Sequence, residues 1–270
     1  MSLFNLLEEK AKKKKRNIGI SIFRWTDSIE ESLIKAKDVA NVIVYGDPRE
    51  FEGVKETNEE QIGRKMVQDF KAGRIDQFVR GQVDDFGAVD EFKKQFGIPA
   101  DKKRLCAGLM QDAYKHEFFL ILASNPEGQS LKEKIWYIDG IADWIKDVFP
   151  HLTLKVAVMA TCRPGTYGKD PVMSKSYDEA EAVVKHLSAK SIEAKNVHIE
   201  IENAVGWANI IMAANGTTGN QIFRSLVYLG KGKNLSTPTI FPGYGVYEDN
   251  SRNELDWYPH VVTAAALVKN

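Results

Sequence analysis

Chemistry is first suggested by one loop and a set of cations. Between the apolar run Asn209–Ala213 and the amphipathic segment Ile222–Leu229 lie Asn215, Gly216, Thr217, Thr218, Gly219 and Asn220. Small, hydroxyl-bearing and amide-bearing residues at the start of a helix can turn backbone N–H groups toward an anion, phosphate above all. A second polar loop, Thr161–Lys169, carries Arg163, Gly165, Thr166 and Gly168. Arg24, Arg80, Arg163, Lys169, Arg224 and Arg252 each fall at or near an expected strand end or helix start, and several guanidinium groups converging there would clamp a charged ligand. The bland alternatives are an ordinary strand-to-helix turn and singly solvated arginines.

Other chemistries find less support. The five histidines, His116, His151, His186, His198 and His260, show no metal-ligand spacing, so no metal is expected. Cys106 and Cys162 are far apart and form no CxxC pair, which fits a reducing compartment and excludes a disulfide framework. Thirty-seven basic residues balance 37 acidic ones, so net charge points to neither nucleic acid nor a membrane surface as partner. The longest clear apolar run, Phe118–Ala123, falls far short of the roughly 18 residues of a membrane helix. At the amino terminus the apolar residues precede the basic run Lys12–Arg16, the reverse of a secretory signal, and a cytoplasmic protein is expected.

The elements that must position these residues alternate. Asn17–Phe23 and Ala40–Val44 read as strands flanking a helical Ser28–Lys37, a βαβ opening. The polar Glu50–Gln61 segment should become a helix through Gln68–Ala72, and Ile75–Val79 a strand before a helical Phe86–Phe96. Arg104–Met110 and Glu117–Leu122 follow as strands, then a long helix carrying Leu131, Ile135, Ile138, Ala142 and Ile145 until Pro150 stops it. Leu154–Ala160 is the clearest buried strand, Ser176–Glu179 a capping-box signal for the next helix, and Val197–Ile201 another strand. Thr218 and Gln221 have the spacing of a second capping box, so a helix should begin near Gly219. Ser124–Gly128 is the most linker-like stretch, Leu235–Asn250 is irregular around Thr239–Phe241, and Val261–Val268 is helix-capable. Such alternation implies largely parallel, helix-covered sheets.

In this order the chain resembles the phosphate acetyltransferase and phosphate butyryltransferase superfamily. ANIIMAANGTTGNQIFRSLVYLG is similar to that family's apolar strand, Gly-Asn turn and Ser-containing helix, with Gly219-Asn220 and Ser225–Tyr228 matching. DQFVRGQVDDFGA places Arg80-Gly81 at the family's strand-ending turn, and KVAVMATCRPGT resembles its next strand and polar loop. The resemblance implies two α/β/α domains with largely parallel sheets and an interdomain cleft, phosphate acyltransferase-like or isocitrate dehydrogenase-like. It places the first domain at 1–122 plus 249–270 and the inserted second at 123–248. A homodimer is also implied.

The family carries a Ser-Arg pair followed by an Asp near its carboxyl end, and Ser251-Arg252 stand in the corresponding place, with Asp256 and His260 after them. The resemblance gives Arg252 the clamping of a phosphate, Asp256 or His260 the removal of a thiol proton, and Ser251 the orienting of that thiol. Arg80, Thr161, Arg163, Gly165, Thr166, Arg224 and the loop Asn215–Asn220 would bind the ligand. This chain departs from the family at Ala123–Pro126, in place of an acidic turn, and at the loop Thr161–Thr166. A narrower resemblance, to methanogen marker proteins labelled methyltransferase-related subunit X, suits these departures. It implies a phosphorylated or coenzyme A-like ligand with no certain cofactor, methyl or acyl transfer in or near methanogenesis, and a possible methyl-carrier protein as partner. An active phosphate acyltransferase and a non-catalytic regulatory or assembly partner are the alternatives.

Overall fold

The computed structural model describes residues 2–268 except Asn125, which belongs to the linker-like stretch and lies outside the described residues. Two compact units are present, Met1–Arg104 with Leu235–Asn270, and Leu105–Asn234.

In the first unit the order of elements is α1 (Leu3–Lys12), β1 (Asn17–Ile22), α2 (Asp27–Ala36), β2 (Asn41–Gly46), β3 (Glu52–Lys55), α3 (Glu59–Lys71), β4 (Gln77–Val79) and α4 (Asp85–Gln95). After the second unit the chain returns through β10 (Lys233–Phe241), β11 (Gly245–Asp249) and α8 (Tyr258–Leu267). The strands lie in the order β3-β2-β1-β4-β11-β10, parallel throughout except for the β10–β11 hairpin. Beyond Asn17 every residue of β1 is buried, as expected of a central parallel strand covered on both faces. Tyr45, Met66, Phe78, Phe92, Phe241 and Tyr247 anchor one core cluster. All ten residues of α8 are buried, which explains its run of alanines, and α8 packs against α1 and α2.

The second unit runs β5 (Leu105–Gln111), β6 (Glu117–Ile121), α5 (Leu131–Val148), β7 (Lys155–Met159), α6 (Pro171–Ala189), β8 (Glu193–His198), β9 (Ile210–Met212) and α7 (Gly216–Tyr228). Its strand order is β5-β6-β9-β7-β8, parallel apart from the β5–β6 hairpin. The α/β class with largely parallel sheets is therefore as the sequence implies. Among the described residues no helix is long and apolar enough to cross a membrane.

The units part at 104/105 and 234/235, whereas the expectation put the joins at 122/123 and 248/249. Strand pairing accounts for the difference. β6 pairs with β9 and takes β5 with it into the second unit, while β11 pairs with β4 and takes most of β10 into the first.

Three local expectations change as well. Glu50–Gln61 is not all helix, because Glu52–Lys55 pairs with β2 before Asn58 caps α3. Helix α6 begins five residues before Ser176, with Asp170 accepting the N–H of Met173 at 2.8 Å; the Ser176 hydroxyl instead accepts the N–H of Thr161 at 3.1 Å. Helix α7 begins at Gly216 rather than Gly219, because Asn215 is its cap.

Candidate functional site

In an open α/β sheet, ligand chemistry gathers where parallel strands end. In the first unit β1, β4 and β11 end side by side, and their following loops are tied together by two side-chain amides. Gln82 accepts from the N–H groups of Phe23 at 3.0 Å and Arg24 at 2.8 Å, and donates to the Arg24 carbonyl at 2.7 Å. Asn250 accepts from the Gly81 N–H at 3.0 Å and donates to the Gly81 carbonyl at 3.2 Å and the Ser251 carbonyl at 2.7 Å. Gly81 has φ +72°, and a Cβ there would lie 2.2 Å from the Ser21 carbonyl oxygen, so only glycine fits this crossing. The Ser21 hydroxyl donates to the Arg80 carbonyl at 2.5 Å and accepts from Val83 N–H at 3.1 Å.

On this braced edge the expected site residues divide. Arg80 is 6% exposed, and its guanidinium donates to the Asp249 carboxylate and to the carbonyls of Val83 and Asn250. Its charge-assisted bonds hold the loop ends of β4 and β11 together, which is a structural assignment in place of a ligand clamp. Arg252 is exposed and makes no hydrogen bond or ion pair among the described residues. Arg24 is also exposed, its guanidinium carbon 5.0 Å from the Phe23 ring centre. Ser251 is half-buried, its hydroxyl accepting a long 3.4 Å bond from Asn253 N–H. Asp256 is exposed and accepts from Tyr258 N–H at 3.3 Å, at the start of α8.

His260 is not a general base. It is fully buried, with Nδ1 at 2.8 Å from Glu248 Oε1 and Nε2 at 3.8 Å from Glu254 Oε2. Burial alone would lower its pKa; the hydrogen bond to Glu248 and the charges of both carboxylates outweigh that and push it up to about 9, although Nε2 itself has no hydrogen-bond partner. An imidazolium sealed between two carboxylates has no lone pair to offer a thiol. Glu248 accepts from Thr237 N–H at 2.6 Å and from the Ser236 hydroxyl at 3.2 Å. Burial raises its pKa, with His260 pulling against that shift. Sequence reasoning missed Ser21, Gln82, Glu248, Asn250 and Glu254; an Asn immediately before the expected Ser-Arg pair was the one available signal.

In the second unit the loop Asn215–Asn220 spends its polar groups at home. Asn215 Oδ1 accepts from Thr218 N–H at 3.0 Å and from the Thr218 hydroxyl at 3.2 Å. Gly216 N–H donates to the Glu127 carbonyl and Gly219 N–H to the Asn215 carbonyl, both at 2.9 Å, and Asn220 Nδ2 donates to the Ala123 carbonyl at 3.0 Å. A Cβ on Gly216 would sit 1.9 Å from the Ser124 carbonyl oxygen, and one on Gly219 2.0 Å from that of Leu122. The glycines therefore let the segment after β6 lie directly on the start of α7, a packing role rather than an opening for phosphate. Thr217 is exposed, and Arg224, also exposed, stands over the Tyr228 ring at 5.4 Å. Gly216→Ala is expected to destabilise the protein by roughly 1–3 kcal/mol through overpacking. Thermal unfolding of that variant checks it, and an unchanged midpoint would contradict the close approach.

The loop after β7 is also held by its own residues. Arg163 Nε donates to Glu200 at 2.8 Å, and Arg163 N–H to the Thr166 hydroxyl at 3.2 Å. Thr166 donates back to the Arg163 carbonyl at 3.0 Å, while Gly165 is exposed with open space around it. Thr161 Oγ1 is buried without a hydrogen-bond partner. Among the described residues no group of three or more His, Cys, Asp or Glu is placed to hold a metal.

Comparison with solved structures decides the architecture. A branched-chain phosphotransacylase from Enterococcus faecalis matches 93% of this chain and 98% of its own, with a TM-score of 0.68 at 12% identity. A phosphotransacetylase from Streptococcus pyogenes matches 98% of each chain, with a TM-score of 0.67 at 15% identity. The fold is that of the phosphotransacylases. In sequence the chain is similar to a protein of Methanosarcina mazei that carries a methyltransferase label, mtx subunit X, at 27% identity over 98% of this chain and 95% of that protein. No family model matches the chain. The resemblance read from the sequence thus stands at both levels, phosphotransacylase fold and methanogen subunit X.

Proposed function

We propose that this protein binds a phosphorylated or coenzyme A-like ligand at the carboxyl-end edge of the first unit's sheet and acts in methyl or acyl transfer in or near methanogenesis. The observation that carries the reading is the contrast between arginines. Arg80 is fully engaged in bracing the edge, whereas Arg24 and Arg252 extend from the braced loops with no acceptor among the described residues. An arginine on a rigid loop is pre-organised for bidentate capture of phosphate. The methyltransferase label of the Methanosarcina protein supports the group-transfer reading; the phosphorylated ligand, a methyl-carrier protein as partner and a homodimer belong to the proposal.

Arg252→Ala is expected to weaken binding of coenzyme A and of acetyl phosphate about tenfold while leaving the thermal midpoint unchanged, since the side chain is exposed. Calorimetric titration checks this; undiminished affinity would remove Arg252 from the site. An active acyltransferase is the second reading, favoured by the fold. With His260 sealed, it would rely on Asp256, and acyl-phosphate formation from acyl-thioester and phosphate should then disappear in Asp256→Asn.

A further inference from the structure

We propose that Glu254 is a positioning residue for Arg252: its carboxylate faces the buried ring of His260 and so holds down the turn on which Arg252 stands. The inference rests on the reading that Arg252 captures a phosphate, and names what keeps that arginine in place. All the parts lie in the first unit. Glu254 N–H donates to the Ser251 carbonyl at 3.0 Å, which makes Arg252 and Asn253 the two central residues of a turn, both exposed. The Ser251 carbonyl also accepts from Asn250 Nδ2 at 2.7 Å, and Asn250 is bonded to Gly81, so the first end of the turn is fixed to the loop after β4.

Downstream, the chain is fixed again at the buried Trp257, whose N–H donates to the Ser32 hydroxyl of α2 at 3.1 Å. From Arg252 to Asp256 the one residue that is not exposed is Glu254. Its Oε1 accepts the N–H groups of Leu255 at 3.0 Å and Asp256 at 3.4 Å, while Oε2 lies 3.8 Å from His260 Nε2. The far end of the turn is therefore tied to the body of the unit through this one carboxylate. Arg24 is held differently, its N–H bonded directly by Gln82.

What Oε2 meets at His260 is charge. A separation of 3.8 Å is too long for a hydrogen bond, and Nε2 is buried with no hydrogen-bond partner. The two side chains are 0% and 15% exposed, so water screens their attraction poorly. Nδ1 bonds Glu248, so a ring that gives up its other proton turns a lone pair on the Glu254 carboxylate, and attraction becomes repulsion. The remaining charges around α8 are engaged elsewhere. Asp249 of β11 is paired with Arg80, which follows β4; Glu8 of α1 and Lys35 of α2 meet Tyr258; Asp256 accepts from Tyr258 N–H; β1 carries no titratable side chain. The raised pKa of His260 keeps the ring charged at neutral pH.

Trypsin cuts after arginine, so the Arg252–Asn253 bond itself reports on the turn. The cleavage rate in the full chain is divided by that of a peptide of residues 247–258 carrying the same substitution, and cleavage after the exposed Lys103 reports any opening of the whole unit. In the unsubstituted protein this ratio should rise at least about fivefold between about pH 7 and 9.5, ahead of cleavage after Lys103. Glu254→Gln keeps the bonds to Leu255 and Asp256 and loses the charge; its ratio should already be high at neutral pH and stay flat. Calorimetric titration with acetyl phosphate, whose charge is constant over that range, should show affinity falling by the same factor in each case. A Glu254→Gln protein cut no faster than the unsubstituted one, or one that keeps the rise with pH, overturns the anchor. Cleavage as expected with affinity unchanged overturns the positioning of Arg252. If the unsubstituted protein does not bind acetyl phosphate, the phosphorylated-ligand reading falls and the positioning with it, while the cleavage ratios still decide the anchor.

Discussion

Arg80→Ala is expected to cost the first unit roughly 3–5 kcal/mol, the range for removing one partner of a buried ion pair. The side chain and that of Asp249 are 8% and 11% exposed, so water offers little screening and little compensation. Truncation would strand the Asp249 carboxylate and also deprive the Val83 and Asn250 carbonyls of their donor. Native-state hydrogen exchange at the backbone N–H of residue 80, which donates to Glu248 at 2.9 Å, reports the opening of this junction directly. Asp249→Asn should cost less, because Arg80 would keep both carbonyls. A loss below about 1 kcal/mol in Arg80→Ala would mean that the loop ends are held by Gln82 and Asn250 alone.

That expectation separates what was legible in the sequence from what was not. The parallel, alternating architecture could be read because β1, β2, β7 and β9 are compact apolar runs and α5 keeps its three-and-four spacing to the end. Local polar signals were weaker guides. Strand β3 reads EGVK and owes its existence to pairing with β2, a tertiary cause that no local propensity carries. The β10–β11 hairpin was obscured by Pro238, Pro242 and Gly243, although Pro238 lies within a strand paired with β11. Two capping-box spacings pointed three to five residues too far along the chain, because Asn215 and Asp170 were equally good caps and came first.

The site residues show the same limit. An arginine's type says that it can clamp a phosphate; whether it does depends on who else claims its donors. Arg80 and Asp249 are 169 positions apart, and no spacing rule joins them. Gly216 and Gly219 are equally ambiguous, since glycine permits the approach of a phosphate or of another strand-end loop, and here the loop after β6 occupies the space. On the first unit's edge, Arg24 and Arg252 are what remain available for a ligand once these internal claims are subtracted.

The second large effect is on pH stability and follows from His260. Its folded pKa of about 9 lies above the ordinary 6.5, so the folded state holds the proton more tightly than the unfolded chain does. The stabilisation is then complete below about pH 6.5 and is lost as pH rises toward 9. Its size is on the order of 3 kcal/mol. Glu248, whose pKa burial raises above the ordinary 4.5, acts with the same sign from lower pH, while Glu254, lowered because His260 outweighs its burial, loses its contribution as pH falls instead. Urea unfolding at fixed ionic strength should therefore show a steady decline in stability between about pH 6.5 and 9. His260→Gln should be less stable at neutral pH by roughly 3 kcal/mol, since Glu248 would be left buried without its cation, and should show a flatter profile over the same window. Parallel profiles for the two proteins would mean that His260 is not the group whose proton couples β11, the loop carrying Arg252, and α8.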